Sequence, residues 1–177
     1  MPRVPRLRQL DTLEEIVARA EAIPAIEGVI VLGSFASGQP DALSDLDLVV
    51  AAAPDSLDEA WEARFDLAGD AFLIWEPQSN EGRNIRWLNW LTHDLVKVEC
   101  GIAAPGSTEL ADPFKVVHGP PNLASRFPRI SLELIAERRR QRDEEQRVFD
   151  PDTMTAEERL GWKLAEMKTA ARALVRR

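Results

Sequence analysis

Two short apolar runs, Gly28-Val29-Ile30-Val31-Leu32 and Leu46-Asp47-Leu48-Val49-Val50, limit what this chain can fold into more than any other feature. Each is too short for a stable helix. The first is β-branched with hardly a polar position, the pattern of a strand covered on both faces. Such a sheet needs helices over it, and the sequence offers them. Asp11, with Glu14 three residues later, reads as a capping box ahead of Leu13, Ile16, Val17 and Ala20, and Pro24 closes that helix. Ser56 and Glu59 open another, with Leu57, Trp61 and Phe65 on one face and Gly69 as its stop. Strands are expected at Ala71 to Trp75, at Ile85 to Thr92 and Leu95 to Ile102 as a hairpin turning near His93-Asp94, and at Lys115 to His118. The expected fold class is therefore α/β (α+β), a mixed β-sheet flanked by helices.

The rest of the chain reads as helical. Ile130, Leu134 and Ile135 mark one helix, and Thr155 with Glu158 caps another that carries Leu160, Leu164, Met167, Ala171 and Leu174 as a stripe. That stripe packs on the chain's own sheet or on a partner chain. With 177 residues, one ordinary domain and an appendage is the expected organisation. The boundary is placed at 128, with residues 1–128 as the α/β domain and 129–177 as a helical extension packed on it or on a partner.

Charge narrows the function. The net charge is -8, and residues 1–128 hold 10 basic against 20 acidic side chains while 129–177 hold 12 against 10. An acidic bulk argues against general nucleic-acid coating, which depends on Lys and Arg neutralising phosphates. Arg138, Arg139, Arg140 and Arg142 are the one basic run, and Asp143, Glu144 and Glu145 follow at once, as on a solvated helix with paired charges. The longest apolar run, Leu46 to Ala53, is broken by Asp47 and falls far short of a membrane span, and the Arg-bearing start has no apolar segment behind it. A cytoplasmic protein is expected. One cysteine, Cys100, makes no internal disulfide, and His93 and His118 are too few beside it for a structural zinc site.

Asp45-Leu46-Asp47-Leu48 carries the chemistry. Side chains alternate along a strand, so Asp45 and Asp47 project together while Leu46 and Leu48 enter the core. Their Cα atoms then lie about 7 Å apart, close enough to share one or two divalent cations. Hard oxygen donors of this kind favour Mg²⁺, which keeps several waters and takes further ligands from substrate phosphates. In Val96-Lys97-Val98-Glu99-Cys100 the same alternation puts Lys97 and Glu99 on one side. If this strand lies beside the first, Glu99 completes a three-carboxylate set, with Lys97 as the cation near Glu99 or a phosphate. Glu76, Glu81, Asp94 and Asp112 remain alternatives for the third acid. Gly33-Ser34, at the end of the first apolar run, offers backbone N–H groups and a hydroxyl to a phosphate, and Gly33 permits close approach.

Gly33-Ser34, the ten residues from Phe35 to Ser44, Asp45-Leu46-Asp47, and Glu99 in a later strand together resemble the signature of the DNA polymerase β-type nucleotidyltransferase superfamily. Within it the chain is most similar to short bacterial forms, including aminoglycoside, lincosamide and minimal nucleotidyltransferases. The resemblance runs roughly from Ile23 to Ile102, with a weaker echo from Ala111 to Phe127. It implies a nucleotidyltransferase-like domain, ATP or another NTP as donor, two Mg²⁺ ions, and transfer of a nucleoside monophosphate to a hydroxyl acceptor with release of pyrophosphate. It further implies that Gly33 and Ser34 hold the triphosphate, that Asp45 and Asp47 bind the metals, and that Glu99 coordinates the catalytic metal and helps deprotonate the acceptor.

The remaining candidates have plainer readings. Trp87 and Trp90 have opposite strand parity, so at least one faces away from any site, and core packing is the ordinary role for both. His93 and His118 read as turn or surface residues, and Arg83 and Arg86 either clasp phosphate or decorate the surface. A small-molecule acceptor is expected; a protein or an RNA end is the other possibility, with Arg138 to Arg142 as its contact. The rival from a different class is a catalytically weak or inactive binding protein that keeps the fold as the antitoxin-like partner of another protein. A homodimer or a helical partner on the Leu160 to Leu174 stripe would fit that role.

Overall fold

The computed structural model describes residues 7–76 and 84–145, and 155–157, 159–161, 163, 164 and 167 of the C-terminal segment. Both apolar runs become central strands, β1 (Ile26–Val31) and β2 (Leu46–Ala52). Along β2, Leu48 and Val50 face one side and Val49 and Ala51 the other, and all four are fully buried. With β3 (Leu73–Trp75), β4 (Ile85–Leu91), β5 (Lys97–Ala103) and β7 (Lys115–His118) they form a six-stranded mixed sheet in the order β3-β4-β5-β2-β1-β7. Only β2 and β5 run parallel; every other neighbouring pair is antiparallel. The remaining strands, β6 (Leu110–Ala111) and β8 (Arg129–Ile130), pair as a separate ribbon.

One face is covered by α1 (Arg8–Glu21) and by α3 (Leu57–Glu62) with α4 (Arg64–Ala68). Ile16 and Ala20 of α1, and Ala60 and Leu67 of the other two, pack there on Leu46, Leu48, Val98, Cys100 and Trp90. The opposite face is covered over part of its length only, where Leu110, Leu123 and Phe127 close on Ile30, Val49, Ala51 and Ala103. Burying each large aliphatic side chain contributes roughly 1.5–3 kcal/mol, and this sets the register. A slip of one residue in β2 would drive Asp47 into the core and expose Leu46 and Leu48.

Several details differ from the sequence reading. Asp11 does not cap α1, which starts one turn earlier behind Leu7 with no side-chain cap. Gln9 explains the early start: it is 3% exposed and donates to the Ser44 carbonyl at 2.8 Å, a tertiary bond that holds the first turn down. Ser56 caps nothing either; its hydroxyl turns to the Pro54 carbonyl. The helix expected after it breaks into α3 and α4 at Ala63, leaving Phe65 exposed beneath the Arg64 guanidinium. Gly69 does end α4, with φ of 60°. The stretch from 122, expected to be helical, first makes a 3-10 turn (Leu123–Arg126) and then β8, just past the boundary expected at 128, before α5 (Leu132–Glu145) begins. In the C-terminal segment Leu160 and Met167 of the expected stripe are exposed, while Gly161 lies so close to the Trp75 indole that a Cβ would fall 2.7 Å from it. Ala171 and Leu174 lie outside the described residues. Among the described residues no helix is long and apolar enough to cross a membrane.

Cys100 sits in the middle of β5, and burial pushes its thiol up to about 12. It therefore stays protonated and shielded throughout the neutral range. The native protein is expected to leave Ellman's reagent unreacted at pH 8 and to titrate one thiol per chain in denaturant; rapid native labelling would mean β5 is not a central strand.

Candidate active site

The site lies where, among the described residues, cover on the second face stops. Because β2 and β5 are parallel, their N-terminal ends share one edge of the sheet, and antiparallel β1 delivers its C-terminal end there. Asp47 and Glu99 are direct register partners across β2 and β5, and Asn89 is the partner of Glu99 across β4 and β5. A polar row, Asn89–Glu99–Asp47, thus crosses three strands on one face, at the roughly 4.8 Å strand spacing of any sheet. Strand alternation sends Leu46, Leu48, Val98 and Cys100 to the opposite face, into the main core.

Asp45 stands just before β2, and a local knot of hydrogen bonds places it. The Asp41 carboxylate accepts from the Leu43 N–H at 3.0 Å and from the Ser44 hydroxyl at 3.0 Å, while the Asp41 N–H donates to Ser44 Oγ at 2.9 Å. Gln9 ties this turn to α1. Pro40-Asp41 marked a turn in the sequence, but nothing there showed that a helix side chain 32 residues upstream fastens it.

Beyond Asp47 in the row comes the turn out of β1. The Leu32 N–H donates to the Asp47 carbonyl at 2.9 Å, and Gly33 follows with φ of 58°, opening the four-residue α2 (Gly33–Ala36) that also holds Ser34. A Cβ on Gly33 would fall 2.7 Å from Asp47 Oδ2. The turn thus meets the carboxylate edge-on, and only glycine permits both the backbone conformation and the approach.

Lys97 is the residue whose part the sequence least revealed. Its side chain is 10% exposed, against 26% for Asp45 and 37% for Glu99; its ammonium pairs with Glu99 and stands 3.7 Å from Asp45 Oδ2. The carboxylates of Asp45, Asp47 and Glu99 are hard oxygen donors of the kind Mg²⁺ takes, and Asp47 Oδ2 occupies the space over Gly33. Among the described residues no three His, Cys, Asp or Glu side chains are already gathered as a metal cage. Lys97, reaching Asp45 and Glu99 together, fills that part of the cluster with a fixed charge.

Two of the four alternative acids are engaged elsewhere. Glu76 pairs with Arg64, Asp112 pairs with Arg129, and Asp94 lies in the exposed β4–β5 turn. Glu81 and Arg83 lie outside the described residues. Arg86 pairs with Asp58 on the helical side, His93 approaches Asp70, and His118 approaches Glu21. Trp90 is 1% exposed in the main core, whereas Trp87 is half-buried on the site's face, where Gly101 makes room for it. Arg138 and Arg140 pair with Glu109 and Glu137. Asn89, missed in the sequence, had a signal available: strand parity puts it with Trp87 and opposite Glu99.

No family model matches this chain, and no curated protein matches it. A cleft of about 360 Å³ opens on the opposite, helical side, lined by residues such as Arg8, Asp11, Arg19 and Asp70. Its cations are satisfied locally, Arg8 by the Asp94 carbonyl and Arg19 by Glu15 and the Leu67 carbonyl, so it lacks the converging donors of the carboxylate row.

Replacing Gly33 tests the contact with Asp47. Left-handed backbone costs a residue with a Cβ about 1–2 kcal/mol, and the crowding adds to it, so Gly33→Ala is expected to lower the thermal unfolding midpoint. Gly33→Ala combined with Asp47→Ala should recover part of that loss; strict additivity of the two changes would show that the residues do not touch.

Proposed function

We propose that this chain is a Mg²⁺-dependent nucleotidyltransferase of the DNA polymerase β-type superfamily. It moves a nucleoside monophosphate, with AMP from ATP as the first expectation, to a hydroxyl acceptor and releases pyrophosphate. The observation that supports this best is the contiguity of Gly33, Asp47 and Glu99. A glycine turn shaped for close approach lies against one carboxylate, and that carboxylate is in register with another on a parallel strand.

Each group then has a task. Gly33 and Ser34 receive the triphosphate, with the α2 turn presenting backbone N–H groups and a hydroxyl. Asp45 and Asp47 anchor the metal–nucleotide complex from the β2 side. Bound Mg²⁺ supplies charge neutralisation on the phosphates and lowers the pKa of a coordinated hydroxyl. Glu99 holds the acceptor hydroxyl and takes its proton as the oxygen bonds to the α-phosphorus and the α–β bridging oxygen leaves with pyrophosphate. Lys97 balances the negative charge. Catalysis of this kind is positioning plus electrostatics, which suits a site built on strands rather than on long loops. Cytoplasmic location belongs to the same reading, since NTP and Mg²⁺ are abundant there.

Exposed Leu160 and Met167 favour one other reading, a catalytically silent protein that binds a partner through its C-terminal helix. Calorimetric titration of the four NTPs with and without Mg²⁺ separates the two. Nucleotidyl transfer requires Mg²⁺-dependent binding of at least one NTP that the Asp45→Asn/Asp47→Asn variant loses. Wild-type protein that binds none of them under either condition would sink it.

Glu99→Gln should keep most donor binding while pyrophosphate release falls about 100-fold or more, the usual range for loss of a general base. An equal fall in Asp94→Asn, with Glu99→Gln unaffected, would move the third acid to the β4–β5 turn.

A further inference from the structure

The polar row has two ends. Gly33 and Ser34 stand at the β1 end, next to Asp47. Past Glu99 the row continues to Asn89 on β4 and then to its register partner Trp75 on β3. That far end is closed off: Trp75 is 5% exposed, and Gly161 of the C-terminal segment is buried against its indole. Trp87 is open instead. Two residues before Asn89, it shares the face of Asn89, is half-buried, and among the described residues belongs to neither hydrophobic core. Its indole reaches across to β5, where a Cβ on Gly101 would fall 3.3 Å from the ring tip Cη2. On its other side Ile85 packs against the cover formed by Leu110, Leu123 and Phe127. The indole is thus held between a sealed aliphatic neighbour and a polar one, on a strand rather than on a loop.

Resting on the nucleotidyl-transfer reading, we propose that Trp87 is the floor of the acceptor subsite, and that the acceptor is a small molecule carrying its hydroxyl on or beside a flat unsaturated ring. In-line displacement fixes the direction. The acceptor oxygen bonds to the α-phosphorus opposite the departing bridging oxygen, and its proton passes to Glu99. With the triphosphate on Gly33 and Ser34, the acceptor comes from the far side of Glu99, where β4 carries Trp87 and Asn89. An indole there offers a broad polarisable face to a ring stacked on it, and the Asn89 carboxamide beside it is both a donor and an acceptor group. An aromatic platform with a few polar groups next to it is the ordinary make-up of a small-molecule site. An RNA end suits this surface poorly, because residues 1–128 hold 20 acidic against 10 basic side chains and repel a phosphate backbone.

Pyrophosphate release with a set of simple hydroxyl compounds tests this. Adenosine, pyridoxine and catechol carry hydroxyls on or beside an unsaturated ring system; glucose, inositol and glycerol do not. With Mg²⁺ and the NTP that binds best, the whole chain is expected to release pyrophosphate above its water background with at least one of the first three and with none of the others. For that compound Trp87→Ala should raise the acceptor KM about 10-fold or more with kcat within about 2-fold, and Trp87→Phe should recover most of the loss. Circular dichroism checks the fold of each variant; should Trp87→Ala not fold, Trp87→Leu, which keeps bulk without a ring, takes its place. Release driven equally well by glucose or glycerol, or by none of the six compounds, would overturn the inference while leaving nucleotidyl transfer to stand on NTP binding. So would an acceptor KM that the folded ring-less variant leaves unchanged. No Mg²⁺-dependent NTP binding in the wild type would remove the nucleotidyl-transfer reading and the inference with it.

Discussion

The parallel pairing of β2 with β5 is the constraint on which the rest depends. Every other contact in the main sheet is antiparallel and can be made by neighbours in sequence or by a simple return. A parallel pair cannot; it needs a crossover, here the segment running through α3, α4, β3 and β4. The crossover places α3 and α4 over one face, where Ala60 and Leu67 cover the inward side of β2 and β5. It also brings the two N-terminal strand ends to one edge, so residues 52 positions apart in sequence, Asp47 and Glu99, become direct neighbours. Antiparallel pairing would have separated the strand ends and with them the carboxylates.

The second face explains why the site is open. Over Val49 and Ala51 it is sealed by Leu110, Leu123 and Phe127, which the β6–β8 ribbon and the 3-10 turn carry in. Among the described residues that cover does not extend to Asp47 and Glu99, and the side chains of the row change there from aliphatic to polar. One strand therefore serves both needs: its apolar half anchors it on both faces, and its polar end stands at a surface with the precision of the anchored part. The turn at Gly33 inherits that precision through its Leu32 hydrogen bond to Asp47.

What was legible in the sequence follows from how local each cause is. Strands whose apolar character is intrinsic, such as Ile26–Val31 and Lys97–Ala103, could be placed to within two residues, and alternation alone put Lys97 and Glu99 on one side. Caps were less legible because a cap competes with tertiary bonds. Asp11 was outbid by Gln9 reaching Ser44, and Ser56 turned to Pro54. β6 and β8 were invisible, since two-residue strands carry no period and exist only because Leu110 and Arg129 meet in space. The site was legible as a set of acids and illegible as a charge balance. Nothing in Val-Lys-Val-Glu-Cys reveals that the lysine reaches back to Asp45, two strands' worth of sequence away.

That charge balance has a physical logic of its own. Gathering Asp45, Asp47 and Glu99 at the rim of a core is unfavourable by mutual repulsion, and a half-buried ion pair seldom offsets its own desolvation by a large margin. Lys97 is thus a poor device for stability alone: an apolar residue at that place would pack as well and lose no hydration. Its presence makes sense if the acids must be there for another reason and must hold their positions before any ligand arrives. A fixed ammonium then keeps the carboxylates of Asp45 and Glu99 from splaying. Glycine at position 33 follows the same logic from the other side, since it sacrifices backbone stability to let the Asp47 carboxylate lie directly against the turn. The two features that local propensity would not choose, a buried lysine and a left-handed glycine, flank the same three acids.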